Sequence, residues 1–400
     1  MECASSPPYT WNKPEPHGLA PPVNPLPATP AFIYDEHLIT HLGQLLAHAR
    51  ERSGCRMLYS IKALPFLPVL ELLAPWVDGF SVSSLFEARL ASRVEGGSRH
   101  ITSPGLRTDE IAEIGQLCDF AAFNSLGQFQ RLQPLLPSNT RAGLRINPQH
   151  SFLPDSRFDP CRPHSKLGVP MRQLAISYSE DDLLRQRLAG LHLHTLFSSR
   201  SFEPLRETVC LLEEHLTEVL PTLDWLNLGG GYLFEYEEDL DMLCGIVERL
   251  QQRFGLTVYF EPGKGLVGQA GYLVASVIDL FESDGKTIAI LDSTVNHDPE
   301  IFEYQTRPEP AWREPEQGVS AILAGCTCLA GDLFGEYRFE HPLNLGDRVA
   351  FRNVGAYSLI KANRFNGHNL PSIYAWDGAT TLRPMKHYRY EDYLEQWRQA

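Results

Sequence analysis

Between residues 57 and 261 the chain repeats one rhythm: a short apolar stretch, a turn, then a segment long enough for an amphipathic helix. The apolar stretches are Met57–Lys62, Gly79–Ser83, His100–Ser103, Phe120–Asn124, Ala142–Asn147, Leu188–His194, Trp225–Leu228 and Thr257–Glu261. Parallel strands cannot be joined by tight turns, so each needs a crossover segment, and a helix is the usual crossover. Eight such units in succession predict an α/β fold, a TIM-like (β/α)8 barrel spanning residues 37–267.

The rhythm has clear limits. Residues 1–28 carry Pro7, Pro8, Pro14, Pro16, Pro21, Pro22, Pro25 and Pro27 with little apolar periodicity, which predicts a flexible proline-rich arm. Residues 29–36 read as a strand, followed by a helix over His37–Arg50 with Leu38, Leu42, Leu45 and Leu46 on one face. Beyond about residue 268 the helical segments stop. Tyr272–Phe281, Thr287–Asp292, Ala321–Gly325 and Arg348–Phe351 predict a mostly antiparallel C-terminal β-domain over 268–400, which the strand at 29–36 joins.

Bulk properties narrow the partners. A formal charge of −14 argues against nucleic acid and anionic membrane and suits a cationic small molecule. No apolar run reaches the roughly 18 residues of a membrane span, and the N-terminus lacks a secretory pattern. Eight cysteines without scaffold spacing indicate a reducing cytoplasm. Cys326-Thr327-Cys328, the one close pair, has no further Cys or His nearby to complete a zinc site.

In barrels of this kind chemistry gathers at the C-terminal ends of the strands. The reactive residues here sit at those ends. Lys62 closes the first strand, where desolvation lowers an ammonium pKa and frees an amine to condense with an aldehyde. Ser83, Ser84 and Glu87 follow the second. His192 and His194 share one face of the sixth, and one or both should point into the barrel mouth, where an imidazole can stack on a flat ring. Gly229-Gly230-Gly231 follows the seventh and lets backbone N–H groups approach a phosphate. Glu261-Pro262-Gly263 ends the eighth. Each has a bland counterpart: a snorkelling lysine, a core histidine, a flexible glycine loop, a structural turn. Together an amine, a phosphate loop and a carboxylate that could keep a pyridine nitrogen protonated point to pyridoxal 5'-phosphate (PLP).

These motifs, in this order, resemble the fold type III, alanine racemase-like PLP-dependent decarboxylases over roughly residues 29–385. Ser60-Ile61-Lys62-Ala63 resembles that family's lysine motif, His194 its stacking histidine, and Gly229-Gly230-Gly231 its phosphate loop. Glu261-Pro262-Gly263 resembles its ring-nitrogen motif, and Gly355-Ala356-Tyr357 its phosphate-binding tyrosine segment. Cys328-Leu329-Ala330-Gly331-Asp332 resembles its cysteine motif, contributed by a partner subunit. The segments Gly143–Pro148, Asp159–Pro163, Trp225–Gly231 and Phe365-Asn366-Gly367 are most similar to the carboxynorspermidine/carboxyspermidine decarboxylase group of that family.

The resemblance implies a homodimeric lyase of polyamine (spermidine) biosynthesis with shared active sites. It implies catalytic roles for Lys62, Cys328 and His194. It implies cofactor contacts from Gly229, Gly230, Gly231, Glu261, Gly263, Lys264 and Tyr357, and substrate contacts from Asp332 and Ser198. Three positions depart from the family pattern. Lys264 stands where an arginine is usual, Ser81 where an aspartate is, and Thr195-Leu196-Phe197-Ser198-Ser199 where the carboxynorspermidine group has an Asn-Leu-Cys-Glu run. The alternatives are another basic amino acid decarboxylase acting on ornithine, lysine, diaminopimelate or a secondary-metabolite precursor, an amino-acid racemase, and a cofactor-free regulatory homologue. Glu261 counts against the racemase, because racemases of this fold set an arginine against the ring nitrogen.

Overall fold

A computed structural model describes residues 26, 28–234 and 240–399. Almost all of the proline-rich arm therefore lies outside the described residues. The chain enters through strand β1 (Ala31–Asp35) and a helix over Glu36–Ser53. Asp35 begins that helix by accepting the Leu38 N–H at 2.9 Å, and Gly54 ends it in the left-handed conformation at φ 72°.

Eight parallel strands then close a barrel. They are β2 (Arg56–Ser60), β3 (Gly79–Val82), β4 (Ser98–Ser103), β5 (Phe120–Phe123), β6 (Arg141–Asn147), β8 (Gly190–His192), β9 (Trp225–Asn227) and β10 (Thr257–Phe260). Each pairs with its neighbours in chain order, and β10 returns to pair with β2. A two-residue strand, β7 (Val169–Pro170), extends the edge of β6. Every expected barrel strand is present, and the alternation with helices is the reason: most of these strands are short, largely buried apolar runs, and the helices that follow them cover the outer face. The helix over Glu36–Ser53 packs against the one over Leu240–Phe254 and closes the outer ring.

Past β10 the chain builds a sheet from β11 (Gly271–Ser283), β12 (Lys286–Leu291), β13 (Glu309–Pro310), β14 (Val319–Ala324), β15 (Leu333–Phe339), β16 (Arg348–Arg352), β17 (Ser372–Trp376) and β18 (Leu382–Lys386). The order is β15-β14-β12-β11-β1-β17-β18, with β16 beside β11 and β13. Most pairs are antiparallel; β12–β14 and β1–β17 are parallel. β1 lies between β11 and β17 with Phe32 and Tyr34 buried, so the first strand among the described residues is a central strand of the last sheet.

Candidate active site

Above the C-terminal ends of the barrel strands lies a cavity of about 490 Å³. Its wall includes Lys62, His194, Gly230, Gly231, Glu261, Gly263, Lys264, Tyr357 and Ser198. The sheet domain adds Glu300, Tyr304 and Thr306, from a short helix over Glu300–Tyr304 and the chain beyond it. One backbone hydrogen bond ties the sheet domain's Tyr357 to the turn that carries Lys62: the Tyr357 N–H donates to Ala63 O at 2.9 Å.

Lys62 does not close its strand; it sits in the 3-10 turn Ile61–Ala63 just past β2. Its surface is open to the cavity, yet protein surrounds it, and the surroundings govern its ionisation. Burial lowers its pKa, Arg145 adds to the effect, and Glu261 and Glu87 oppose it. His194, two residues past β8, accepts the Gly230 N–H on Nδ1 at 3.1 Å. Nδ1 thus carries no proton, so the ring is neutral with its proton on Nε2. Burial, then Lys62 and Arg145, hold its pKa well below the usual value.

Glu261 follows β10, with one oxygen facing Asn227 Nδ2 at 2.8 Å and the other His192 Nε2 at 3.3 Å. Burial alone would raise its pKa, but the hydrogen bond from His192 and the nearby Lys62 outweigh that and keep it an ionised carboxylate. Tyr357 is held in the left-handed region at φ 64°, and burial raises its phenol to about 12. Lys264 Nζ lies 3.5 Å from Glu300 Oε2 across the rim.

The glycine loop does more than leave room for a ligand. A Cβ on Gly229, Gly230 or Gly231 would meet Leu193 O at 2.2 Å, Glu261 O at 2.3 Å or Leu196 O at 2.3 Å. No side chain fits at any of the three, because the loop lies directly on its neighbours' backbones. Gly230 and Gly231 reach the cavity; Gly229 does not line it.

The serines and Glu87 after β3 make a helix start. Ser84 Oγ accepts the Glu87 N–H at 3.2 Å, while Glu87 Oε2 accepts the Ser83 N–H at 2.6 Å. Cys328 is exposed and outside the cavity of its own chain. Asp332, expected to face a substrate amine, is instead 3% exposed and accepts the N–H groups of Val295 at 2.8 Å and Thr327 at 3.1 Å. Its carboxylate braces the loop that presents Cys328, since a buried charge needs such donors. Arg145, Asn227, Glu300 and Tyr304 were not singled out from the sequence. Arg145 and Asn227 carry a signal, being polar residues in otherwise apolar strands; Glu300 and Tyr304 carry none.

Residues 31–355 match the family described as "Pyridoxal-dependent decarboxylase, C-terminal sheet domain". The chain belongs to this family of pyridoxal-dependent decarboxylases. It is 34% identical over 372 residues to the carboxynorspermidine/carboxyspermidine decarboxylase of Herminiimonas arsenicoxydans, covering 92% of this chain and 98% of that one. It is 33% identical to the carboxyaminopropylagmatine decarboxylase of a Synechocystis strain, covering 93% and 96%. Among solved structures, carboxynorspermidine decarboxylase complexed with norspermidine from Campylobacter jejuni superposes with a TM-score of 0.82 at 30% identity, covering 92% and 99%. The protein is a PLP-dependent decarboxylase. Among the described residues no group of three or more His, Cys, Asp or Glu could hold a metal ion, and no helix is long and apolar enough to cross a membrane.

Proposed function

We propose that this decarboxylase acts on carboxynorspermidine or carboxyspermidine, with PLP held in the cavity and two copies of the chain completing each other's sites. The observation that carries the substrate is the likeness, over nine-tenths of the chain, to relatives that bear those names. A net charge of −14 is in keeping with a polycationic substrate.

The residues of the cavity fit the cofactor. A depressed lysine amine suits its aldehyde, an ionised buried carboxylate its ring nitrogen, and a flat neutral imidazole its ring face. Lys264, the Tyr357 hydroxyl and the glycine loop suit its phosphate. When bound, PLP supplies a sink for the electron pair left at the substrate's Cα as CO₂ departs. Lys62 would hold the cofactor through its amine, Glu261 would keep a proton at the ring nitrogen, His194 would pack on the ring's face, and Ser198 would contact the substrate's chain. Cys328 of a second copy would be the proton donor on the substrate side. Its exposure supports a face that meets another copy, with Leu329 and Leu333 exposed nearby in sequence and Phe365 exposed next to Asn366, whose side-chain oxygen accepts the Cys328 N–H at 2.8 Å.

A second reading has its own support. The Synechocystis relative is named for an agmatine-derived substrate, and the Thr195–Ser199 segment departs from the carboxynorspermidine pattern. A CO₂-release panel decides between them, using carboxynorspermidine, carboxyspermidine, carboxyaminopropylagmatine, ornithine, lysine, arginine and meso-diaminopimelate. Turnover of the first two is expected. Turnover of carboxyaminopropylagmatine alone would replace a terminal ammonium by a guanidinium, and turnover of none of the three would overturn the substrate class.

A further inference from the structure

Glu261 has two hydrogen-bond partners in its own chain, and one belongs to a residue with no task so far. Asn227 donates to Oε1, and its own side-chain oxygen is fixed by the Gly229 N–H at 2.9 Å. Oε2 lies 3.3 Å from His192 Nε2. His192 is 3% exposed and does not line the cavity. It stands between Arg145 on β6 and Asn227 on β9 in strand register, on the inward face of the barrel.

The two ring nitrogens fix its protonation. A hydrogen bond to a carboxylate requires the proton on Nε2. Nδ1 is buried and has no partner among the described residues. A second proton there would be a buried N–H without an acceptor. The charged and titratable groups facing the ring are Glu261, Arg145, Lys62, His194 and His100. Burial lowers the imidazole's pKa, Glu261 opposes, and Arg145 and Lys62 add to the lowering. The ring is therefore a neutral donor. The distinction matters, because an imidazolium would form an ion pair and weaken the carboxylate as an acceptor, whereas a neutral N–H holds one oxygen in place and leaves the negative charge.

We propose that His192 is a positioning residue for Glu261: a neutral N–H donor beneath the cavity that orients the carboxylate while leaving its charge for the ring nitrogen of PLP. This rests on the role given to Glu261 above.

The test uses the full chain loaded with PLP carrying ¹⁵N in the ring, as wild type, Glu261→Gln, His192→Gln and His192→Leu. The ¹⁵N shift reads protonation of the ring nitrogen directly. Glu261→Gln is expected to move it to the unprotonated position; no movement would remove the role of Glu261 itself, whatever His192 does. With that shift in hand, His192→Leu is expected to move the resonance part-way and to lower kcat about 10- to 100-fold with KM little changed, the loss that follows removal of one hydrogen bond to a buried charge. His192→Gln, whose amide N–H replaces the donor, is expected to restore both. A wild-type shift and kcat in His192→Leu would overturn the proposal. Should that variant fail to fold, wild-type ¹⁵N-histidine spectra decide, with His192 assigned through His192→Gln. The expected result is the neutral Nε2–H form throughout about pH 6–8, and an imidazole titrating in that window would overturn the proposal.

Discussion

The barrel interior has two layers, and the same strands build both. Residues two apart point inward: Gly143 and Arg145 on β6, Gly190 and His192 on β8, Trp225 and Asn227 on β9, Tyr259 and Glu261 at the end of β10. The lower layer is packing. A Cβ on Gly143 or Gly190 would lie 2.5 or 2.1 Å from the Trp225 ring, so the two glycines make the space that the indole fills. His100 stacks on Phe120 with 4.0 Å between ring centroids, and Tyr259 leans on both.

The upper layer is polar, and it underlies the cavity. Its charges have one another: Glu261 takes hydrogen bonds from Asn227 and His192, and Arg145 and Lys62 lie within its electrostatic reach. The lower layer carries no such cluster of charges: His100 has only the Ser98 hydroxyl as a hydrogen-bond partner, at 3.0 Å, and Trp225 Nε1 has no partner among the described residues. One step of two residues along a strand therefore separates a place where shape decides stability from a place where charge decides chemistry.

Substitutions can break that division. The largest effect is expected in the upper part: Lys62→Ala should abolish the long-wavelength absorbance that PLP gains on joining a lysine and lower CO₂ release by about 10³-fold or more. Mixed with Cys328→Ala, it should recover a measurable part of the activity if sites are shared between copies. A retained absorbance band would refute the assignment of Lys62.

In the lower layer Gly190→Ala should do the reverse. Overpacking against Trp225 is expected to cost about 1–3 kcal/mol or more of stability, read as a lowered Tm, with kcat per folded molecule little changed. A loss of kcat without loss of Tm would show that the layers are not separable.

The smallest effect is a pH dependence. Burial, which outweighs Glu261 and is aided by His192, pushes His100 down to about 3 from an ordinary 6.5. The unfolded chain thus takes up a proton that the folded protein refuses. The stability this histidine permits is present above about pH 6.5 and is lost as pH falls from there towards about 3. His100→Phe is expected to flatten the acid limb of stability measured by denaturant unfolding, and an unchanged slope would mean that the lower layer opens before His100 titrates.

Much of the fold was legible, for definite reasons. Most barrel strands are largely buried and stand out as apolar runs, and their helices follow in sequence, so local pattern and final neighbours agree. Strand ends differ by a residue or two: Lys62 lies past its strand in a 3-10 turn, and His194 lies two residues past its strand in irregular chain. The edge strands β15 and β18 are harder to read, since Gly335 and Pro384 interrupt them, while the inner strand β17 is a short apolar run with no helix or turn pattern to mark it as a strand.

The site divides in the same way. Lys62, His194, the glycine loop and Glu261 follow barrel strands, so their place on one rim follows from the fold class alone. The burial of Asp332, the neutral state of His194 and the arrival of Glu300 and Tyr304 do not. They depend on which backbone N–H or carboxylate lies within about 3 Å of a given side chain, and such contacts join segments far apart in sequence. The sequence by itself determined the fold class and the residues of the barrel rim, because both follow from local periodicity. Only the tertiary structure decided which of those side chains are charged, which face the cavity and which merely hold a loop, because hydrogen bonds and desolvation are properties of neighbours in space.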